Sequence, residues 1–236
     1  MNDILNAQQQ KIWEQEHAMP NVLVQMDSPL PSAGVVKFFQ WLNDNNINRS
    51  TGLEMGCGKG RNVIWLAQKK INMVGFDFSP TAIERARLRS VENNVEEKTH
   101  FIIHDATQTW PFEANHFDFV IDCFATTDIA VSTGRIFAIS EMMRILKPNG
   151  FILVYVMSTQ DMYHKKMIAQ SPAHEQYSFF HPHNGKFEKV FTGDEIKMLY
   201  KDAKLIIHDR IAKIATFFGE DYECNHHWMI FQKNNS

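Results

Sequence analysis

The chain has little that would tie it to a membrane, to nucleic acid or to an oxidising compartment. Its three cysteines, Cys57, Cys123 and Cys224, have no paired spacing and no C-x-x-C. That excludes a disulfide framework and reads as reduced thiols in a cytoplasmic protein. The longest apolar run, Phe151 to Met157, is seven residues, far short of a bilayer span. The first twenty residues, rich in Gln and Glu around Trp13, hold no apolar segment of a secretory signal. Lys plus Arg number 24 against 27 Asp plus Glu, a net charge of -3, so no global basic field gathers nucleic acid or anionic lipid. Internal repeats and low-complexity tracts are missing too. Hydrophobic content of 44% over 236 residues suits one sizeable core with a lid better than two domains.

What is present is concentrated in Gly52-Leu53-Glu54-Met55-Gly56-Cys57-Gly58-Lys59-Gly60-Arg61-Asn62. An apolar lead-in ends in an acid, and three glycines alternate with other residues just before a helix-like segment. Glycines there remove Cβ atoms where backbone bends tightly and a ligand lies against it. The following helix offers unpaired N–H groups and a partial positive charge. Phe76-Asp77 follows 21 residues after Gly56, at the end of the strand-like run Ile71–Phe76. This is close to the spacing at which a second-strand acid meets a ribose in a dinucleotide-type fold. The third glycine comes one residue early for G-x-G-x-x-G, and Glu54 would repel a pyrophosphate. An acid there suits a ligand bearing an ammonium and a sulfonium.

Apolar runs at Thr51–Met55, Met73–Phe76, Phe101–His104, Phe117–Ile121 and Phe151–Met157 read as buried parallel strands. Helical stretches fall between them at about 60–70, 79–93 and 133–147, the second opened by the Ser79-Pro80 cap. The alternation implies a doubly wound α/β sheet. Residues 158–191 are polar, rich in His, Tyr and Phe, and show no period. Thr192 and Glu195 form a capping box for a short helix, and Lys204–Ile211 and His227–Gln232 look like closing strands.

These residues resemble the class I S-adenosylmethionine (SAM) dependent methyltransferases over about residues 36–235. Glu54-x-Gly56-x-Gly58-x-Gly60 has the form of the family's first motif. Asp77, Asp105-Ala106 and Leu146-Lys147-Pro148-Asn149-Gly150 match later ones. The resemblance implies a Rossmann-like fold, a mostly parallel seven-stranded sheet with an antiparallel last strand and a helical cap or lid. It divides the chain into an N-terminal cap, residues 1–35, and a methyltransferase domain, residues 36–236, with 158–191 as a lid-like insertion. It implies SAM as cofactor and S-adenosylhomocysteine as product. Gly56, Cys57, Gly58 and Gly60 would lie under the methionine half, with Glu54 near the ammonium. Asp77 would accept the ribose hydroxyls and Phe78 pack on adenine. Asp105 and Ala106 would bond the adenine ring, and Asp122-Cys123 would border the methionine moiety.

The implied activity is methyl transfer to a small-molecule acceptor by direct displacement. An N-P-P-[YF]-like motif for a flipped base is replaced by Asp122-Cys123-Phe124-Ala125, which argues against nucleic acid as the acceptor. A general base is needed only for an acceptor that is protonated at working pH. Thr126, Thr127, Asp128, Asp161, Tyr163 and His164 are candidates, and loop or capping roles compete for each. His174, His181 and His183 have no partner at a zinc spacing, so no metal is expected. A non-catalytic SAM- or nucleoside-binding module and a nicotinamide-dependent oxidoreductase stand as the alternatives.

Overall fold

The computed structural model describes residues 2–19 and 27–235. The stretch 20–26 of the expected cap lies outside them. Asn2–Ala18 form α1 and Ala33–Asp44 form α2. Strand and helix then alternate through β1 (Thr51–Met55), α3 (Arg61–Gln68), β2 (Asn72–Asp77), α4 (Pro80–Glu92) and β3 (Thr99–Ile103). Next come β4 (Phe117–Cys123), the short α5 (Ala125–Asp128), α6 (Ser132–Ile145) and β5 (Leu146–Met157). After these follow α7 (Met162–Gln170), a small hairpin of β6 (Ser178–Phe180) and β7 (Phe187–Lys189), α8 (Gly193–Leu199), β8 (Ala203–Phe217) and β9 (Glu220–Lys233).

Seven strands make one sheet in the order β3-β2-β1-β4-β5-β9-β8, with β9 antiparallel to both its neighbours. The strand order reverses between β1 and β4, whose register pairs Met55 with Asp122. A crevice opens at such a reversal because the connections leave on opposite faces. Alternation along the strands sorts the core. Phe119, Ile121 and Gly52 face α2, α3 and α4 with Phe38, Val63 and Ile83, whereas Leu53, Met55 and Val120 face α6 and α8 with Met142, Ile145 and Ile196. Each of these large buried apolar side chains contributes about 1.5–3 kcal/mol.

The caps expected from sequence form where the side chains are. Ser79 accepts from the Ala82 N–H at 3.0 Å ahead of Pro80, and Thr192 with Glu195 closes a capping box on α8. The segment 158–191 departs from its aperiodic reading. Asp161 caps α7 by accepting from the His164 N–H at 3.1 Å, and β6 and β7 pair antiparallel. The closing strands also run longer than 204–211 and 227–232. Pairing of β9 with β5 ends at Met157 and His226, so Ala212–Phe217 and Glu220–Asn225 continue as a two-stranded ribbon beyond the sheet. One face of the ribbon reaches only the small cluster of Tyr163, Met167 and Phe179, through Phe217 and Tyr222, so most of its side chains stay exposed or half-buried and its strand pattern is weak. Tyr163 of α7 stacks on Phe217 of the ribbon at 4.2 Å between ring centroids.

Candidate functional site

A cavity of about 210 Å³ lies at the carboxyl ends of β1, β2 and β4, where the strand order reverses. Its floor is the glycine turn. The Cys57 N–H donates to the Phe76 carbonyl at 2.9 Å and the Gly60 N–H to the Cys57 carbonyl at 3.0 Å, while Gly56 and Gly58 sit at φ +61° and +51°. A Cβ placed on Gly58 would meet only the His17 ring, 3.7 Å away, so the space over this residue is open to a ligand. Gly60 differs: a Cβ there would strike Ala86 and Phe101 at 2.9 Å. Gly60 therefore serves the packing of the turn against α4 and β3 and does not line the cavity.

Glu54, the next-to-last residue of β1, lies beneath the turn and is 2% exposed. Its Oε1 accepts from Asn62 Nδ2 at 2.6 Å, and its Oε2 is buried with no partner. Burial pushes its carboxyl up to about 8, with Asn62 and Arg61 opposing. Asp77 ends β2 and braces the same turn. Its Oδ2 accepts from the Gly58 N–H at 3.0 Å and its Oδ1 from the Ser79 N–H at 2.9 Å, leaving spare acceptor positions on both oxygens. Asp105 follows β3. Its Oδ1 takes the N–H and hydroxyl of Thr107, both at 2.8 Å, and its Oδ2 takes Gln10 Nε2 at 2.6 Å. Phe78, Ala106, Cys57 and Cys123 also line the cavity, and so does His104, whose Nε2 has no partner.

Asp122 is placed elsewhere. It shares the face of β4 that carries Val120, is fully buried, and accepts from both the N–H and the hydroxyl of Thr126. It holds the start of α5 and does not border the cavity. The base candidates divide similarly. Asp128, at the end of α5, lines the cavity, and burial together with nearby Glu188 pushes its carboxyl well above the usual range. Thr126 is bound to Asp122, and Thr127 to the Phe124 carbonyl. Asp161, Tyr163 and His164 stand outside the cavity, in α7 and its cap.

The roof is α1, whose Gln9, Gln10, Trp13 and His17 all line the cavity. In the sequence only Trp13 stands out here. The signal was a polar and aromatic stripe at three- and four-residue spacing, the face of a helix that buries polar groups. The helix is fastened at two ends of the molecule. Glu14 accepts from the hydroxyls of Ser79 and Thr81 at the start of α4, and Gln10 reaches Asp105. On the other side Gln9 donates to the Gly185 carbonyl at 3.1 Å and accepts from the Phe187 N–H at 2.7 Å. Glu16 takes Asn184 and the Lys186 ammonium, at 2.6 and 3.1 Å.

Lys186 begins a buried ionic chain under the hairpin. Its Nζ lies 3.5 Å from Glu188 Oε1 and 4.3 Å from the Trp13 ring centre. Glu188 Oε2 is 3.3 Å from His164 Nε2, and His164 Nδ1 is 2.6 Å from Asp161 Oδ1. Burial alone would lower the His164 imidazole; its hydrogen bonds to Asp161 and Glu188 overcome this and raise it to about 9. Among the described residues no group of three or more His, Cys, Asp or Glu is arranged to hold a metal ion, and no helix is long and apolar enough to cross a membrane.

Known proteins bear on this geometry. A family described as a methyltransferase domain matches residues 53–150. An uncharacterized protein of Haemophilus influenzae is 34% identical over 104 residues, 44% of this chain and 41% of that protein. An uncharacterized methyltransferase of Synechocystis sp. is 30% identical over 148 residues, 61% of this chain and 66% of the relative. The chain thus spans less than two thirds of either relative's length. The crystal structure of a SAM-dependent methyltransferase from Methanosarcina mazei superposes with a TM-score of 0.70 and 21% identity, covering 83% of this chain and 98% of that one. It shares the fold.

Proposed function

We propose that this chain, which belongs to the class I SAM-dependent methyltransferases, transfers a methyl group from SAM to a small-molecule acceptor by direct displacement. The observation that carries the reading is the buried, unpartnered Oε2 of Glu54 beneath an open glycine turn. A buried carboxyl oxygen left without a partner there is costly unless a cation or donor meets it. The residues present fit SAM. Glu54 would meet the ammonium, and the turn at Gly56–Gly58 would carry the methionine. Asp77 would use its spare acceptor positions on the ribose hydroxyls, and Phe78, Asp105 and Ala106 would hold adenine.

When bound, the sulfonium supplies a methyl group already activated for attack, so the chain's task is to align the acceptor and exclude water. Trp13 and Asp128, on the side of the cavity toward the hairpin, and Phe124, packed on Tyr155 and His226, are our choice for the acceptor's edge. A protonated Asp128 donates a hydrogen bond to an acceptor and takes a proton only if released from its acidic neighbour Glu188. The roof of α1 and the hairpin favours a small acceptor over a polymer. A nicotinamide dinucleotide fits poorly, because its pyrophosphate would lie beside Glu54. The free cysteines suit a reducing, cytoplasmic setting.

Two measurements test the reading. Calorimetry should show S-adenosylhomocysteine binding, and methyl-labelled SAM should pass its label to a small acceptor in a screened metabolite mixture. No heat with SAM or S-adenosylhomocysteine up to about the millimolar range, where binding free energy is about 4 kcal/mol, would overturn the cofactor assignment. Binding without any label transfer would favour the non-catalytic binding module.

A further inference from the structure

We infer that His17 is a cofactor-contacting residue that bonds a ribose hydroxyl, so that α1 reads the sugar of the ligand as well as roofing it. This rests on the methyltransferase reading of the cavity. Gln9, Gln10, Glu14 and Glu16 of α1 are all bonded within the protein. The two ring nitrogens the helix turns inward are not: Trp13 Nε1 and His17 Nδ1 are buried with no partner. His17 is 5% exposed and lines the cavity. A buried polar atom left bare in this way marks the place of a missing partner.

The position of His17 selects the partner. Its ring edge faces the open space over Gly58, with Asp77 and Lys59 among the charges acting on it. The Asp77 carboxylate already takes the N–H groups of Gly58 and Ser79, so its remaining acceptor positions, one on each oxygen, match a vicinal diol. An imidazole across the same diol from Asp77 can accept from, or donate to, a hydroxyl that the carboxylate does not saturate. Desolvation keeps that imidazole lowered from its ordinary value, which leaves an unprotonated ring nitrogen available near neutrality. Lys59 is spoken for by Asp27, 2.5 Å away, and does not compete for the ligand.

The test uses His17→Phe, which keeps a ring against Trp13 and removes both nitrogens, and His17→Asn, whose amide falls near the place of Nδ1. The probes are S-adenosylhomocysteine and 5′-deoxy-5′-methylthioadenosine, which retains the ribose and lacks the amino-acid part. His17→Phe should weaken both by the same factor, about tenfold, the scale of one buried hydrogen bond, while His17→Asn stays within about threefold of the parent. Melting of the unliganded variants should match the parent. Unchanged affinity in His17→Phe overturns the inference. A loss confined to S-adenosylhomocysteine overturns the ribose assignment and moves His17 to the amino-acid end. If His17→Phe fails to fold, His17→Asn against His17→Ala carries the test, and equal affinities in that pair overturn it. Failure of the parent protein to bind either probe is a different result and sinks the methyltransferase reading itself.

Discussion

Cofactor binding should expel a proton from Glu54. The carboxyl is fully enclosed and held up at about 8 by burial, so at pH 7 about 0.9 of the unliganded molecules carry the proton. An ammonium brought within about 4–6 Å lowers a carboxyl by about 1–3 units. The liganded value is then about 5–7, and the protonated fraction at pH 7 falls to between about 0.01 and 0.5. Each binding event therefore releases about 0.4–0.9 proton at pH 7. Calorimetry in two buffers of different ionisation enthalpy reads this directly, because the released proton is taken up by the buffer. Glu54→Gln removes the titrating group and supplies the control for protons contributed by the ligand's own amino group. The slope of enthalpy against buffer enthalpy should be clear in the parent protein and nearly flat in Glu54→Gln. Equal slopes in the two proteins would refute the placement of the ammonium at Oε2. The sign carries over to stability. A carboxyl raised from 4.5 to about 8 gives its full stabilising contribution below pH 4.5 and loses it as pH rises through 8, so the unliganded parent should lose more stability over that range than Glu54→Gln.

Three further expectations follow from the same geometry. Asp77→Asn keeps an acceptor for the Gly58 or Ser79 N–H but loses the charge and one acceptor oxygen; S-adenosylhomocysteine affinity should drop by about 1.5–3 kcal/mol with circular dichroism unchanged, and undiminished affinity would remove Asp77 from the ligand. Gly58→Val places a branched side chain in the open space below His17 at φ +51° and should abolish S-adenosylhomocysteine binding in equilibrium dialysis, whereas retained binding means the ligand avoids the turn. His164, raised from 6.5 to about 9 by Asp161 and Glu188 against its burial, contributes stability in full below pH 6.5 that is lost as pH rises through 9; His164→Gln should flatten the fall of melting temperature over that range, and a parallel fall in both proteins would show that the ionic chain does not depend on this charge.

The sheet and the glycine turn were legible because they are local. Each strand is a short apolar run, the turn declares itself by three glycines in five residues, and the Ser79 and Thr192 caps lie within three residues of what they bond. Asp122 could have been placed by parity, since Val120 and Val154 share its face of the sheet while Ile121 and Cys123 face the other core. A position at a strand end does not by itself say on which side of the sheet the side chain points. The roof was illegible for a different reason. Gln10 and Asp105 are 95 residues apart, and Glu16 and Lys186 are 170 apart. Nothing in a polar stretch announces which distant polar stretch will complete it. Lys186 and Glu188 look like solvated surface in the chain, yet they are 4% and 7% exposed because Lys186 meets Glu16 and Glu188 while Glu188 also meets His164 and His181.

The two-ended fastening of α1 bears on the order in which the molecule is assembled during synthesis. This helix precedes every group it is tied to: Ser79, Thr81, Asp105, Asn184, Lys186 and the backbone of Gly185 and Phe187. An isolated helix of 17 residues with few apolar contacts is marginal in water. It waits, largely unheld, until the hairpin at the far end of its span has left the ribosome. The sheet and its two cores contain no residue of α1, so their folding does not depend on these contacts. Closing the cavity with α1 is then a step separable from building the sheet. An amino-terminal fusion that hinders α1 should accordingly give a well-folded chain with weakened hold on its ligand.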